Sequence, residues 1–384
     1  MNTDSLNDAI NRTLAALKEG RPEMVEEIQT SDTTRYTDPV RFDRETDVLF
    51  RRLPTYLGHV SQLPEAGSYL RRELVGTSVL LVRGEDNTIR AFVNACRHRG
   101  TQLVDEFKGC QKRFVCPYHA WSYNNDGSLA MVPQDFGFPD LNRDEHGLVQ
   151  LPLWQRNGLL WTLADGNSDF DFETFWQPIE DEISLLGLED AIVYRPGERD
   201  WQVNWKIIIE GGMESYHFKK AHMDSIAPYF YSNQSVYDAL GPHSRLLFPR
   251  SNFLELENKP EAERSLAGYA NIVYAIPPTT VMLVQADHTA LITLTPAAVD
   301  KTRISIEMLI SRALFEEKDE AHWELNCQIT NDTLDEDFTI GEKIQRGIGG
   351  GHLKHLTFGR YEHGLASVNR TIDSLLSPQS SGKN

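Results

Sequence analysis

The sequence predicts an α+β protein of two domains, an antiparallel β domain followed by one in which an antiparallel sheet is covered by helices. Three observations carry this. Between about residues 48 and 165, short apolar runs alternate with turn signals and no long helical pattern intervenes. Past residue 171, β-rich runs are grouped together with helical patterns on either side, so strands and helices are segregated rather than alternating. Between the halves lies Asp165-Gly166-Asn167-Ser168-Asp169-Phe170-Asp171, a polar stretch of loop composition.

The elements follow in order. Residues 6–17 place apolar side chains at helical spacing, which predicts a short N-terminal helix. Runs 78–83 (SVLLVR) and 89–93 (IRAFV) flank Gly84-Glu85-Asp86-Asn87, a hairpin signature. Residues 113–115 and 121–123 supply the next strands, Asn125-Asp126-Gly127 a turn, and 159–163 (LLWTL) a further strand. In the second half, 176–186 and 204–217 are helical, the latter weakened at Gly211-Gly212 by roughly 1 kcal/mol per glycine relative to alanine. Strands are expected at 272–275, 280–285, 290–294 and 303–310, then a long helix over 315–348 interrupted near Asn331-Asp332-Thr333. The last residues, SPQSSGKN, have the composition of a frayed tail.

The 384 residues suffice for two to three domains and a large core. With 40% hydrophobic and 24% charged residues, a disordered chain or a collagen-like repeat is excluded. Lys and Arg number 38 against 56 Asp and Glu, a net charge of −18, where a nucleic-acid partner or an anionic membrane would call for a basic face. Four cysteines, Cys96, Cys110, Cys116 and Cys327, are too sparse for a disulfide framework. No leader pattern is visible, and no uncharged apolar run reaches the ~18 residues that cross a bilayer. Residues 270–299 come nearest, interrupted by Pro277, Pro278 and Asp287. The expectation is a cytoplasmic protein with neither membrane nor nucleic-acid partner, whose thiols stay reduced.

The chemistry-bearing residues form two constellations. The first is Cys96-x-His98, seventeen residues, then Cys116-x-x-His119. Two thiolates and two imidazoles are a complete ligand set, and S2N2 suits zinc or iron–sulfur. The single-residue spacing of the first pair is shorter than zinc sites typically use. The motif, with the flanking CPYHAW and DGSL, resembles the Rieske family, in which two histidines replace two cysteines on one iron of a [2Fe–2S] cluster. The resemblance implies that Cys96 and Cys116 ligate one iron and His98 and His119 the other. The family usually has Gly after the second His, where this chain has Ala120. Cys110, between the pairs, is read as packing or surface.

The second constellation lies in NWKIIIEGGMESYHFKKAH, from Asn204 to His222. His217-x4-His222 is by itself a weak signal, because five residues of ideal helix turn the rings roughly 140° apart. The two converge only where the helix bends or ends. Downstream of a Rieske motif, Asn-Trp-Lys followed by Tyr-His-x4-His is similar to the catalytic domain of Rieske non-haem iron oxygenase large (alpha) subunits, terminal oxygenase components. The resemblance covers roughly residues 45–380 and implies a 1–45 helical segment, a 46–168 Rieske domain and a 169–384 helix-grip-like catalytic domain. It implies a two-His-one-carboxylate site for mononuclear Fe(II), with His217, His222 and, just upstream of Glu342-Lys343-Ile344-Gln345-Arg346-Gly347, Asp337 as ligands. Asp335 and Glu336 are close enough to be mistaken for it. Glu214 matches the acid that bridges a Rieske histidine of one subunit to an iron-ligand histidine of the next. Many members have Asp there, and Glu is found in members acting on quaternary ammonium substrates. Gly211 stands where the family often has Asn.

The resemblance implies an O2- and electron-dependent oxygenase that hydroxylates a small organic substrate, an aromatic ring by mono- or dihydroxylation. The alternative is N-demethylation or C–N cleavage of a quaternary ammonium or betaine-like compound. A Rieske electron carrier without oxygenase activity and a zinc-ribbon interaction protein are the readings of other classes. Phe218, Tyr229, Phe230, Tyr231, Phe248 and Met282 are candidate substrate contacts by apolar burial or cation–π interaction. The sequence holds no dinucleotide fingerprint, so electrons from NAD(P)H are expected through a separate reductase or ferredoxin. The intersubunit route implies a homotrimer, a head-to-tail ring.

Overall fold

The computed structural model describes residues 3–167 and 169–377. Residue 168 of the boundary stretch and all of the predicted frayed tail after Ser377 lie outside the described residues. The chain divides into two compact units, Phe50–Asp171 and a second built from residues up to Leu49 together with those from Phe172 onward.

In the first unit, Gln150–Leu151, Ile89–Val93, Thr77–Arg83, Ser68–Leu74 and Lys108–Cys110 form, in that order, a five-stranded antiparallel sheet. The central run SVLLVR is apolar at successive positions because both its faces are covered. Leu80 and Val82 pack with Phe92, Phe114, Trp121 and Tyr123, while Val79 and Leu81 pack with Leu57, Leu70 and Leu160. Two three-stranded antiparallel sheets complete the unit: Leu153–Arg156, Leu159–Thr162 and Thr55–His59, and Arg113–Val115, Ser122–Asn124 and Leu129–Met131. Both predicted turns form, with Asn87 at φ +61° and the Asp126 carboxylate accepting from the Ser128 N–H at 2.9 Å.

The second unit is a seven-stranded antiparallel sheet ordered Ile192–Trp201, Lys301–Ile310, Thr289–Ala298, Thr280–Val284, Ala270–Ile276, His243–Pro249 and Val236–Leu240. Asp4–Glu19, Phe172–Ser184, Trp205–Gly211 and His363–Leu376 are among its helices. Two helix expectations need correction. The 204–217 helix stops at Gly211, where Gly212 N–H closes the last turn on Ile209 O at 3.1 Å. The long helix runs without interruption from Glu320 to Gly349. Asn331 stays inside it because its amide donates to Cys327 O at 2.8 Å. The break falls instead at Lys318-Asp319, where Asp319 caps the helix by accepting from His322 N–H at 2.9 Å.

The Asn-Trp-Lys motif is a structural tie. Asn204 caps its helix through Lys206 N–H at 3.0 Å. Trp205 Nε1–H donates to Glu45 at 2.9 Å, and Lys206 Nζ contacts both Glu45 oxygens at 2.7 and 2.8 Å. Lys206 and Glu45 are buried, so either charge alone would cost about 3–5 kcal/mol. One turn on, Glu210 is fully enclosed, and its Oε1 accepts from Tyr36 O–H at 2.7 Å and from Asn369 Nδ2 at 2.8 Å. Burial raises its pKa to about 7.

A carboxyl whose pKa is raised on folding favours the folded state at low pH, and this contribution is lost as pH climbs from the ordinary glutamate range to about 7. Glu210→Gln keeps the accepting oxygen and removes the charge. Urea unfolding should show the variant gaining on the parent by about 2–3 kcal/mol between pH 5 and pH 8; parallel profiles would refute the assignment.

Candidate active site

His217 and His222 sit at the two ends of a single helical turn, Phe218–Ala221. His222 leaves the helix at φ −107°, ψ 25°, so the ideal-helix separation is not imposed. The ring centroids lie 5.1 Å apart. From the long helix, Asp337 Oδ1 comes within 3.0 Å of His222 Nε2 and 3.5 Å of His217 Nε2. Among the described residues, this is the one group of three or more ligand-type side chains that converges on a point.

Each histidine is held from behind. His217 Nδ1–H donates to Glu214, and His222 Nδ1–H donates to Glu336 at 2.6 Å. A carboxylate accepts only, so both protons lie on Nδ1 and both Nε2 lone pairs face Asp337. His217 Nε2 is buried with no hydrogen-bond partner, an orphan that a metal ion would satisfy. Burial lowers the pKa of both rings, but Glu214 and Asp337 outweigh it at His217, and Asp337 and Glu336 at His222, leaving both raised. The donor set fits a divalent iron with open positions. The three adjacent acids part company here: Asp335 pairs with Arg199 at 2.7 Å, Glu336 orients His222, and Asp337 faces both rings. Glu336 belongs to no motif; its position one residue before Asp337 is the only signal the sequence offers for it.

A cavity of about 290 Å³ opens on the triad. Phe218, Tyr229, Phe230 and Phe248 line it, as expected, whereas Tyr231 and Met282 do not. Strand alternation explains Met282: Val281 and Leu283 face the cavity, and Met282 faces the other side of the sheet. Phe218 lies edge-on to His222 at 5.4 Å and stacks on Phe248 at 5.1 Å, which makes an aromatic wall continuous with the triad. Gly211 also lines the cavity, and a Cβ there would meet nothing within 4 Å, so the missing side chain leaves open volume.

In the other unit, Cys96 and Cys116 are buried, close to one another and not joined in a disulfide. His98 and His119 are exposed, with Nδ1 atoms 3.1 Å apart. Two sulfurs together and two ring nitrogens together, rather than four ligands at one point, suit a two-iron cluster better than a single zinc. Tyr123 supports the sulfur side, its hydroxyl 3.3 Å from Cys96 Sγ and accepting from Arg97 N–H at 2.9 Å. The two ligand loops are built alike: Gly100 N–H bonds Cys96 O at 2.8 Å, and Ala120 N–H bonds Cys116 O at 3.0 Å. Both closing residues are left-handed, Gly100 at φ +76° and Ala120 at φ +59°. Cys110 is exposed on an edge strand, and Cys327 is packed with Trp323 and Met308. Among the described residues, no helix is long and apolar enough to cross a membrane.

Comparison with known proteins finds a family match in each unit. Residues 54–140 match the Rieske [2Fe-2S] domain, and residues 188–378 match the ring hydroxylating alpha subunit (catalytic domain). The glycine betaine monooxygenase oxygenase subunit of Chromohalobacter salexigens is 27% identical, covering 96% of this chain and 92% of its own. The carnitine monooxygenase oxygenase subunit of Escherichia coli K12 is 32% identical over 49% of this chain and 50% of its own. A biphenyl 2,3-dioxygenase subunit alpha of Rhodococcus jostii is 30% identical over 47% of this chain and 40% of its own. The fold is that of the quaternary ammonium Rieske monooxygenase CntA solved with L-carnitine, at TM-score 0.78, 21% identity and coverage of 93% and 97%.

Two outcomes follow from the geometry. Glu336→Gln should weaken iron retention against a chelator by about 10–100-fold, while Asp335→Asn leaves it unchanged; equal losses would return Glu336 to the solvated face. Ala120→Gly relieves a left-handed alanine, worth about 1–2 kcal/mol, against about 0.5–1 kcal/mol of added chain entropy. Urea unfolding should therefore show a gain of up to about 1 kcal/mol with the cluster's visible spectrum intact.

Proposed function

We propose that this chain, which belongs to the Rieske non-haem iron oxygenases as a large (alpha), terminal oxygenase subunit, oxidises a quaternary ammonium compound of betaine type by N-demethylation or C–N cleavage. It is an oxygenase with a [2Fe–2S] cluster and mononuclear iron, dependent on a reductase or ferredoxin. The aromatic substrate expected first from the sequence has less support than its alternative. The observation that carries the substrate class is the aromatic wall of Phe218, Phe248 and Phe230 against the two histidines, a surface that attracts a methylated ammonium through its ring faces. The full-length relative acts, by its name, on glycine betaine.

In this reading residues 46–168 hold the cluster, through Cys96 and Cys116 on one iron and His98 and His119 on the other. Residues 169–384 hold the mononuclear iron through His217, His222 and Asp337, and residues 1–45 are a helical segment. The bound metals supply dioxygen activation and single electrons. The chain's own work is positional: Glu214 and Glu336 fix both ring tautomers, and the apolar cavity keeps bulk water from the methyl group. Overall, the N-methyl cation, O2, two electrons and two protons give a carbinol and water, and the carbinol collapses to a tertiary amine, formaldehyde and a proton. Glu214, orienting His217 from the side opposite the cavity, supports electron entry from His119 of a neighbouring copy, hence a homotrimeric ring.

The test is turnover with a reductase. Quaternary amines should drive O2 uptake with matched aldehyde release, and arenes should not. Asp337→Ala should abolish both while leaving the visible spectrum of the cluster. Arene hydroxylation without amine turnover would overturn the substrate class, and turnover surviving Asp337→Ala would overturn the site.

A further inference from the structure

Beyond the two histidines, the cavity wall carries two charged side chains, Asp337 in the triad and Arg250. Arg250 is half-buried at the end of the strand His243–Pro249. Its backbone is pinned, with the N–H donating to Tyr269 O at 2.8 Å and a bridge to Phe230. The guanidinium lies over the Phe230 ring at 5.3 Å, and among the described residues it meets no carboxylate or other hydrogen-bond acceptor. Arg245, five residues earlier, shows how this fold treats a buried arginine, pairing it with both Glu182 and Asp238. A planar fork of donors at a cavity wall, with no carboxylate of the chain beside it, has the geometry that binds a carboxylate bidentately.

The opposite end has the complementary charge. Asp337 faces the imidazoles, and Glu214 and Glu336 stand directly behind them. Three carboxylates around one divalent ion leave a net negative end, which favours a cation. The aromatic wall joins the ends: His222 to Phe218 at 5.4 Å, Phe218 to Phe230 at 5.7 Å, Phe230 to Arg250 at 5.3 Å. The cavity wall thus carries carboxylates at the triad and a guanidinium at Arg250, linked by a run of aromatic rings.

We propose that Arg250 binds the carboxylate of a zwitterionic quaternary ammonium substrate whose methylated nitrogen lies on the Phe218 face beside the triad; this rests on the substrate class proposed above. Arg250 is then a specificity residue that separates ammonium carboxylates from ammonium alcohols of similar size.

Calorimetric titration of the cluster- and iron-loaded protein tests it, with glycine betaine and L-carnitine as carboxylate probes and choline as the trimethylammonium without a carboxylate. Arg250→Gln should raise Kd for both carboxylates at least tenfold and change choline less than twofold, with the cluster spectrum unchanged. Arg250→Lys should recover part of the carboxylate affinity, because the charge returns without the fork. No loss for the carboxylates, or an equal loss for choline, overturns the role of Arg250 and leaves the substrate class standing. A parent protein that binds none of the three overturns both.

Discussion

Asp337 reaches the two histidines because the long helix lies unusually close to the helix Trp205–Gly211. A Cβ added at Gly341 would sit 3.3 Å from Val203 Cγ2, tighter than most contacts, and 3.5 Å from Ile208 Cδ1, an ordinary one, so a larger residue there would press the two helices apart. Two polar ties fix the rotation of the long helix at that closeness. Glu342 accepts from Gln202 N–H at 2.9 Å, and Gln345 Oε1 accepts from Asn204 N–H at 3.0 Å. The Glu-x-x-Gln segment downstream of the ligand therefore sets the angle at which Asp337 leaves the helix. Its resemblance to the family is a resemblance of packing before it is one of chemistry.

That rotation explains why three consecutive acids have three roles. Successive residues on a helix point about 100° apart, so Asp335, Glu336 and Asp337 cannot substitute for one another. Asp335 leaves toward Arg199, Glu336 reaches the far side of the His222 ring, and Asp337 faces the near side. A rotation by one residue would place Glu336 among the ring nitrogens and leave the shorter Asp335, now paired with Arg199, to face His222 Nδ1. The same logic holds at the other ligands: a one-turn helix turns His217 and His222 toward each other where a longer one would part them.

What could be read from the sequence divides along the same line. Local signals were sufficient where the side chains brought together are neighbours in the chain, as in Cys96-x-His98 and Cys116-x-x-His119, and where burial on both faces makes a strand continuously apolar, as in SVLLVR. They failed where a residue's role is set by a distant partner. Ile192–Trp201 contains Arg-Pro-Gly-Glu-Arg-Asp and has the composition of a loop, yet pairs along Lys301–Ile310 at the sheet edge, where charge and proline are tolerated. His243–Pro249 and Val236–Leu240 flank the turn Gly241-Pro242, but VYDAL and HSRLLFP mix charged and apolar residues too irregularly to read as strands. Arg250 carries no motif: its meaning is the absence of an anion beside it, visible only when the cavity is built. Glu336 is the intermediate case, present in the acidic run but assigned only by the helix that aims it.

Net charge and cavity charge act at different ranges. A surplus of 18 negative charges raises the local concentration of cations and favours a basic face on the electron donor, and both effects are screened within about 8–10 Å at ordinary salt. Inside the cavity, screening is weak and one side chain decides. The cavity wall carries Phe218 and Asp337, with Glu214 and Glu336 behind the histidines, and Arg250 beside Phe230. The outer field cannot distinguish a zwitterion from a simple ammonium, except by attracting the zwitterion less. Any preference for carboxylate-bearing substrates must therefore arise within the cavity, and among the described residues Arg250 is the one Lys or Arg in its wall.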